Sequence, residues 1–387
     1  MLLKIIAFYL PQFHQIELND KLWGEGFTEW TNVRKGTPLF PGHEQPVIPL
    51  NNNYYNLLNT DVMKWQVALA KKYGIYGFCF YHYWYNGQLV MDKPVRNFLD
   101  DKTLNLPFCI CWANHDWTTS WTEGEIKTIL KEDYSDKNEW KEHFEFLLPY
   151  LKDKRYIYKD GKPLLVLYEI ANLPRIGEML EYWQSLAKQS GLPGLTYAYE
   201  SATADMLPEF DFSHIQYDIE YQPQYARTFR NKAKSISTRA IGILKEINWK
   251  TLNIKLPKKI SNKVNDVNTS VQIFDYDEIW KKILTSKPVH SNSIPGAFVK
   301  MDTTPRRGER GFVIHGYSPE KFKQYLSKQI EHTKHEYHQD MIFMFAWNEW
   351  AEGGYLEPDE RYKYQTLEAV RDALYETNEF PDYLEQA

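Results

Sequence analysis

The sequence predicts an α/β fold, a closed (β/α)8 barrel, and three observations carry that prediction. Eight short apolar runs recur along the 387 residues, several of them continuously apolar, the pattern of parallel strands buried on both faces. Helical periodicity fills most of the intervals between them, as in repeated βα units. No G-x-G-x-x-G follows the first run to support the doubly wound alternative, and the length suits a barrel of about 250 residues with insertions.

In chain order the predicted strands are 5–10, 75–83, 107–112, 163–168, 195–199, 214–217, 297–301 and 341–347. Helices are predicted over Asp61–Lys72, Ile176–Gln189 and Pro319–His332. In such a barrel the residues after each strand gather at the C-terminal rim, where chemistry is done. Those ends carry Gln12 and His14; His82, Tyr83 and Trp84; Asn114 and Asp116; Glu169; Glu200; Asp218; Asp302; and Asn348 with Glu349. Residues 11–60 hold Trp23, Trp30, Phe40 and five prolines, which reads as a long, ordered βα loop. Between strands six and seven, residues 221–290 carry 14 Lys/Arg against 5 Asp/Glu, so this basic insertion is +9 while the rest of the chain is −14. Within it, 231–250 spaces apolar residues helically among lysines and arginines. Such a helix either makes peripheral contact with an anionic membrane or packs, solvated, against the barrel. We expect one catalytic domain over 1–387 that includes this insertion.

Composition narrows the function. A net charge of −5 argues against a nucleic-acid partner. The chain holds 13 Trp, 28 Tyr and 20 Phe, and flat apolar faces with polar edges suit sugar rings, although a large aromatic core accounts for them equally. The first ten residues are too short and too weakly basic for a signal peptide, and no run approaches the roughly 18 apolar residues of a membrane span, so a cytoplasmic location is expected. Cys79, Cys109 and Cys111 lie in apolar runs, are odd in number and lack Cys-x-x-Cys spacing, so they read as reduced core residues. Asp275-Tyr-Asp277 has the Asp-x-Asp form that holds a divalent cation in many nucleotide-sugar transferases, but it sits in the insertion rather than at a strand end. With no phosphate-binding loop, HExxH or G-x-S-x-G, neither a metal nor a cofactor is expected.

The richest stretch is Phe345-Ala-Trp-Asn-Glu-Trp-Ala-Glu-Gly-Gly-Tyr-Leu-Glu-Pro358. Glu349 and Glu352 are three apart, which on a helical turn starts their side chains about 5–6 Å from each other. Two close carboxyls titrate apart, one ionised and one protonated, which is the pair that breaking a glycosidic bond requires. Trp347, Trp350 and Tyr355 would supply ring-stacking walls, while the competing reading is a solvated helix start with acids favoured by the dipole. Arg306 either fixes a substrate carboxylate, phosphate or hydroxyl pair, or ties down its loop by pairing with Asp302. His82 either hydrogen-bonds a sugar hydroxyl or is a satisfied buried histidine.

Ala7-Phe-Tyr-Leu-Pro-Gln-Phe-His14, Gly26-Phe-Thr-Glu-Trp-Thr-Asn32, Gly77-Phe-Cys-Phe-Tyr-His-Tyr-Trp84, Cys111-Trp-Ala-Asn114, Thr304-Pro-Arg306 and Trp347-Asn-Glu-Trp-Ala-Glu-Gly353 together resemble the WbsX family of polysaccharide-biosynthesis proteins. That family is similar to glycoside hydrolase family 99, the endo-α-mannosidases. The resemblance runs from about residue 4 to about residue 365 and implies a barrel with a metal-independent retaining mechanism. It implies that Glu349 acts as base on a sugar 2-hydroxyl, giving a 1,2-anhydro sugar, and that Glu352 is the general acid/base. It further implies substrate contacts from Tyr9, Gln12, His14, Trp30, His82, Tyr83, Trp84, Asn114, Trp117, Asp302, Arg306, Trp347, Asn348, Trp350, Tyr355 and Glu357. Relatives often have Trp-Ala-Asn-Glu-Asn-Trp where this chain has Trp112-Ala-Asn-His-Asp-Trp117, and Trp at Met301; both departures touch expected sugar contacts and so bear on substrate identity more than on reaction type. Three functions follow as expectations. The first is an enzyme acting on an α-glycosidic, mannoside-like linkage of an oligosaccharide or lipid-linked glycan. The second is a glycosyltransferase of O-antigen or capsule assembly, and the third a non-catalytic glycan-binding barrel.

Overall fold

The computed structural model describes residues 2–118, 127–131, 135–170, 175–203, 212–228 and 271–381. Its centre is eight strands: β1 (Lys4–Tyr9), β2 (Gly77–Tyr85), β3 (Phe108–Trp112), β4 (Lys162–Leu167), β5 (Thr196–Ser201), β6 (Tyr217–Glu220), β7 (Gly296–Phe298) and β8 (Met341–Phe345). They pair in the order β6-β5-β4-β3-β2-β1-β8-β7, every pairing parallel. A parallel bridge between Ile219 and Ile294, just ahead of β7, brings the sheet's two ends together, with Glu220 N donating to Ile294 O at 3.0 Å. The result is the predicted (β/α)8 barrel.

Helices follow in chain order: α1 (Glu17–Trp23), α2 (Glu29–Arg34), α3 (Thr60–Tyr73), α4 (Lys93–Asp100), α5 (Lys137–Leu151), α6 (Ile176–Gln189), α7 (Gln224–Thr228), α8 (Tyr276–Thr285), α9 (Thr304–Arg307), α10 (Pro319–His335) and α11 (Gln365–Glu376). Local chemistry sets their ends. Asn59 caps α3 by accepting from Asp61 N, and Gly74, at φ 85°, closes it in the left-handed conformation that glycine takes without strain. Residues Met63, Val67 and Ala70 of α3 recur at helical spacing on its buried face.

Buried parallel strands have no polar edge to mark where they stop, so the differences from prediction lie at strand ends. Strand β6 begins at Tyr217 rather than at His214, which ends a 3-10 turn, so Asp218 is inside the strand, where it accepts from Ser293 Oγ at 2.9 Å. Strand β5 continues to Ser201 and draws Glu200 into the barrel wall. Met301–Asp302 is not part of β7 but pairs antiparallel with Phe312–His315. The cysteines are free and buried. Asp275 caps α8 by accepting from Glu278 N, and Asp277 accepts from Lys321 Nζ and Tyr325 OH at 2.8 and 2.9 Å, so the Asp-x-Asp pair is spent on structure. Among the described residues no three His, Cys, Asp or Glu side chains are grouped to hold a metal, and no helix is long and apolar enough to cross a membrane. The basic stretch 231–250 lies outside the described residues.

Candidate active site

Period-two alternation decides which residues of a barrel strand face its interior. On β1, Phe8 points inward to stack on Tyr81 at 5.6 Å, while Tyr9 points outward and its hydroxyl donates to Gln66 Oε1 of α3 at 2.7 Å. On β2, Tyr81 and Tyr83 face a cavity of about 300 Å3 at the C-terminal mouth. Their neighbours His82 and Trp84 face α5, where His82 Nε2 lies 2.9 Å from His143 Nε2 and Trp84 stacks on His143 at 4.6 Å. The expected sugar contacts of Tyr9, His82 and Trp84 are therefore corrected: these three pack between the barrel and its helices.

The segment after β8 delivers the acidic pair. Asn348–Glu349 pairs antiparallel with Gly354–Tyr355 around the 3-10 turn Trp350–Glu352, and Gly353, at φ 68°, permits the reversal. A Cβ at Gly353 would stand 2.9 Å from Asp302 N, so the position needs glycine for space as well as for conformation. Asn348 fixes the segment to the end of β1, accepting from Leu10 N at 2.8 Å and donating to Leu10 O at 3.0 Å. Glu349 stands just before this turn and Glu352 at its end, and the two reach the same guanidinium. Arg306 of α9 donates from Nη1 to Glu352 Oε1 at 2.5 Å and from Nη2 to Glu349 Oε2 at 3.3 Å. A third carboxylate completes the cluster, since Glu29 Oε2 of α2 accepts from Arg306 Nε at 3.2 Å and Nη2 at 2.9 Å.

Three carboxyls share one buried cation, so full ionisation would leave two uncompensated charges out of water, and a proton is retained. Burial raises Glu349 from the ordinary carboxylate range to about 8, against the pull of Arg306 and reinforced by Glu352 and Glu29. Burial works against the charge on Arg306 too, but Glu29, Glu352 and Glu349 outweigh it and raise its pKa. Beneath the cavity, Glu200 accepts from Cys111 Sγ at 3.1 Å and is pushed up to about 8 by burial.

Tyr81, Tyr83, Trp117, Tyr168 and Tyr221 wall the cavity, Gln12, His115 and Gln224 add polar edges, and Arg306, Glu349 and Glu352 form its acidic end. Gln12 Nε2 donates to Tyr83 OH at 2.9 Å, and Trp117 meets the Tyr83 ring edge-on at 5.3 Å. Of the residues predicted to contact substrate, Gln12, Tyr83, Trp117 and Arg306 line this space beside the acidic pair. Trp30, Trp350 and Tyr355 stand behind it: Trp350 stacks on Tyr355 at 3.8 Å and packs on Trp30 at 5.6 Å. Glu357 is an internal anchor that accepts from Trp347 Nε1, Trp350 Nε1, Gln66 Nε2 and Tyr55 OH at 2.6–3.0 Å. Its placement, like that of the fully buried Trp347, corrects the expectation of direct sugar contact. Asn114 binds the backbone of Glu169, and His14 is buried near Asp92 and Lys93, with burial lowering its pKa to about 4. Asp302 accepts from His43 Nε2, Gln45 Nε2 and Thr304 N at 2.6–2.9 Å and makes no ion pair with Arg306, which overturns the loop-tying alternative.

Glu29, Tyr81, Tyr168, Tyr221, His115 and Gln224 escaped the sequence reading. Two spaced tyrosines on β2 gave a usable signal, because Tyr81 and Tyr83 share one strand face. Glu29 sits just inside a short helix, where an acid is ordinarily explained by the dipole.

A parallel barrel with paired carboxyls in an aromatic-walled cavity at its C-terminal mouth is a fold of the glycoside hydrolase-like type. The chain belongs to the family described as "Glycosyltransferase WbsX", which it matches over residues 5–370. It is 31% identical over 381 residues to the uncharacterized protein WxcX of two Xanthomonas campestris pv. campestris strains, an alignment covering 96% of this chain and 49% of WxcX. The chain therefore spans about half the length of the curated relatives it matches. In fold it is similar to the GH99 endo-alpha-mannosidase from Bacteroides thetaiotaomicron, with a TM-score of 0.53, 13% identity and 97% of each chain covered. It is likewise similar to a glycoside hydrolase-like protein, with a TM-score of 0.55, 12% identity, and 96% and 94% covered.

Proposed function

We propose that this chain is an enzyme acting on an α-glycosidic, mannoside-like linkage, with Glu349 and Glu352 as its catalytic pair and retention of anomeric configuration. One observation carries the reading: both carboxyls meet on a single buried guanidinium at the end of an aromatic-walled cavity. In the proposed route Glu349 takes the proton of the sugar 2-hydroxyl as that oxygen attacks the anomeric carbon. The glycosidic bond breaks and its oxygen leaves with the proton of Glu352. Water then opens the 1,2-anhydro sugar from the opposite face, giving a proton to Glu352 while O2 recovers one from Glu349. Two inversions give retention. Burial and its acidic neighbours raise the Glu349 pKa, so the active form in this route is the one in which Glu349 has lost its proton, with Arg306 beside the resulting charge.

A glycosyltransferase of O-antigen or capsule assembly is the second reading, favoured by the description of the family to which the chain belongs. Tight binding of a nucleoside diphosphate, lost on neutralising the lysines of 221–290, would support it. Mass spectrometry of a lipid-linked or capsular glycan after incubation with the protein, and with Glu352→Gln, separates the readings. A shortened glycan formed by the wild type alone supports cleavage, and an extended one supports transfer. Bound but unaltered glycan supports a non-catalytic barrel and overturns the proposal.

A further inference from the structure

A second groove, of about 440 Å3, opens behind the catalytic cavity and shares no lining residue with it. Helix α2 separates the two: Glu29 turns toward the carboxyl cluster, while Trp30 packs on Tyr54 and Tyr55 at 5.1 and 5.0 Å on the groove side. Its lining includes Asn51, Asn52 and Asn53 and the part-buried aromatic residues Tyr54, Trp65 and Tyr364. No lysine, arginine, aspartate or glutamate is among the lining residues, and the neighbouring Arg34 guanidinium is taken up by the Tyr54 ring at 4.0 Å. That composition disfavours a phosphate or carboxylate and fits a neutral, polyhydroxylated ligand. Carboxamides both donate and accept, as hydroxyls do, and aromatic faces cover the apolar faces of sugar rings. The volume falls within the roughly 300–1,000 Å3 of small-ligand clefts.

The amide-bearing loop is held rigid. Leu50 N donates to Pro358 O at 3.0 Å, Glu360 N to Ile48 O at 2.9 Å, and Asn51 N to Glu360 Oε1 at 2.6 Å. Asn51 and Asn52 are both in the left-handed region, at φ 57° and 53°, a conformation asparagine tolerates better than most residues and one that costs energy to maintain. All three asparagines are exposed, and Trp65, also among the lining residues, is half-buried.

We propose that this groove is a second saccharide site, which binds a neutral stretch of glycan while another stretch occupies the catalytic cavity. The inference rests on the reading of this chain as acting on glycans but is independent of the roles given to Glu349 and Glu352. The test uses the whole chain with α-mannotetraose and maltotetraose at millimolar concentration, read by tryptophan fluorescence and saturation-transfer NMR. Wild type is expected to show two binding events, and Trp65→Ala to weaken one of them roughly tenfold or more, the loss of one aromatic platform. Asn52→Ala should weaken the same event, with far-UV circular dichroism of both variants unchanged. On long glycans Trp65→Ala should raise KM and spare kcat, while short substrates are unaffected. Unchanged binding by folded Trp65→Ala and Asn52→Ala, or no binding of either tetrasaccharide to wild type, overturns the proposal. Groove binding that survives when Glu352→Gln fails to alter turnover would overturn the catalytic reading and leave this one standing.

Discussion

Replacing Glu29 by Gln tests the electrostatics of the site without touching its proposed catalytic pair. Glu29 shares Arg306 with Glu349 and is one of the charges that hold the Glu349 proton in place. Burial and the neighbouring carboxyls raise the Glu349 pKa, so the ionised base is the minor form at mildly acidic pH. Gln keeps an oxygen for Arg306 but removes the charge, so Glu349 feels less repulsion and a larger share of the guanidinium. Like charges 4 Å apart at an effective dielectric of 20 interact by about 4 kcal/mol. Glu29 acts across an intervening cation, so a third of that, about 1.4 kcal/mol or one pH unit, is a reasonable magnitude. A base must be ionised to work, hence kcat/KM rises as pH rises through its pKa, and lowering that pKa moves the acidic limb down. Glu29→Gln should shift that limb about one unit lower and raise kcat/KM at pH 6 about tenfold relative to its own plateau. A limb that stays in place or moves upward refutes the electrostatic account, and a shift confined to the alkaline limb makes Glu349 the acid instead.

Three other outcomes follow from the placements. Trp84→Ala removes the stack on His143 outside the barrel, so urea denaturation should show a loss of about 3–5 kcal/mol while kcat/KM per folded molecule stays within about twofold. Burial raises Glu200 to about 8, above its unfolded value, so the native state binds the extra proton and stability declines as pH rises between the two values, by up to about 1.4 kcal/mol per unit. Thermal melts of Glu200→Gln should show a flatter decline from pH 6 to 8 than wild type, and parallel curves would contradict this. Gly353→Ala meets both a positive φ and the Asp302 backbone; it should lower the denaturation midpoint by the equivalent of 1 kcal/mol or more, roughly, and reduce turnover by displacing Glu352.

Most of the barrel was legible because buried parallel strands announce themselves as apolar runs, and Ile176–Gln189 was read to the residue. Strand ends were not, since β5 and β6 carry acids inside the strand rather than after it. The Glu349–Glu352 pair was legible from spacing alone. Which neighbours share its cavity depended on side-chain direction: His82 and Trp84 lie in the same aromatic run as Tyr81 and Tyr83 but on the opposite face of β2. Glu29 required tertiary knowledge of another kind, because α2 and α9 lie 277 residues apart at their Glu29–Arg306 contact, and nothing local marks that meeting.

The central claim is a division of labour between two glutamates on one arginine. Its most direct test measures turnover of aryl α-mannosides of graded leaving-group acidity by wild type, Glu349→Gln and Glu352→Gln. With a poor leaving group both variants should fall roughly 10²- to 10⁴-fold. An acidic phenol should restore Glu352→Gln, which lacks only the proton donor, and leave Glu349→Gln impaired. Wild-type turnover by both variants on a substrate the enzyme cleaves would contradict the account.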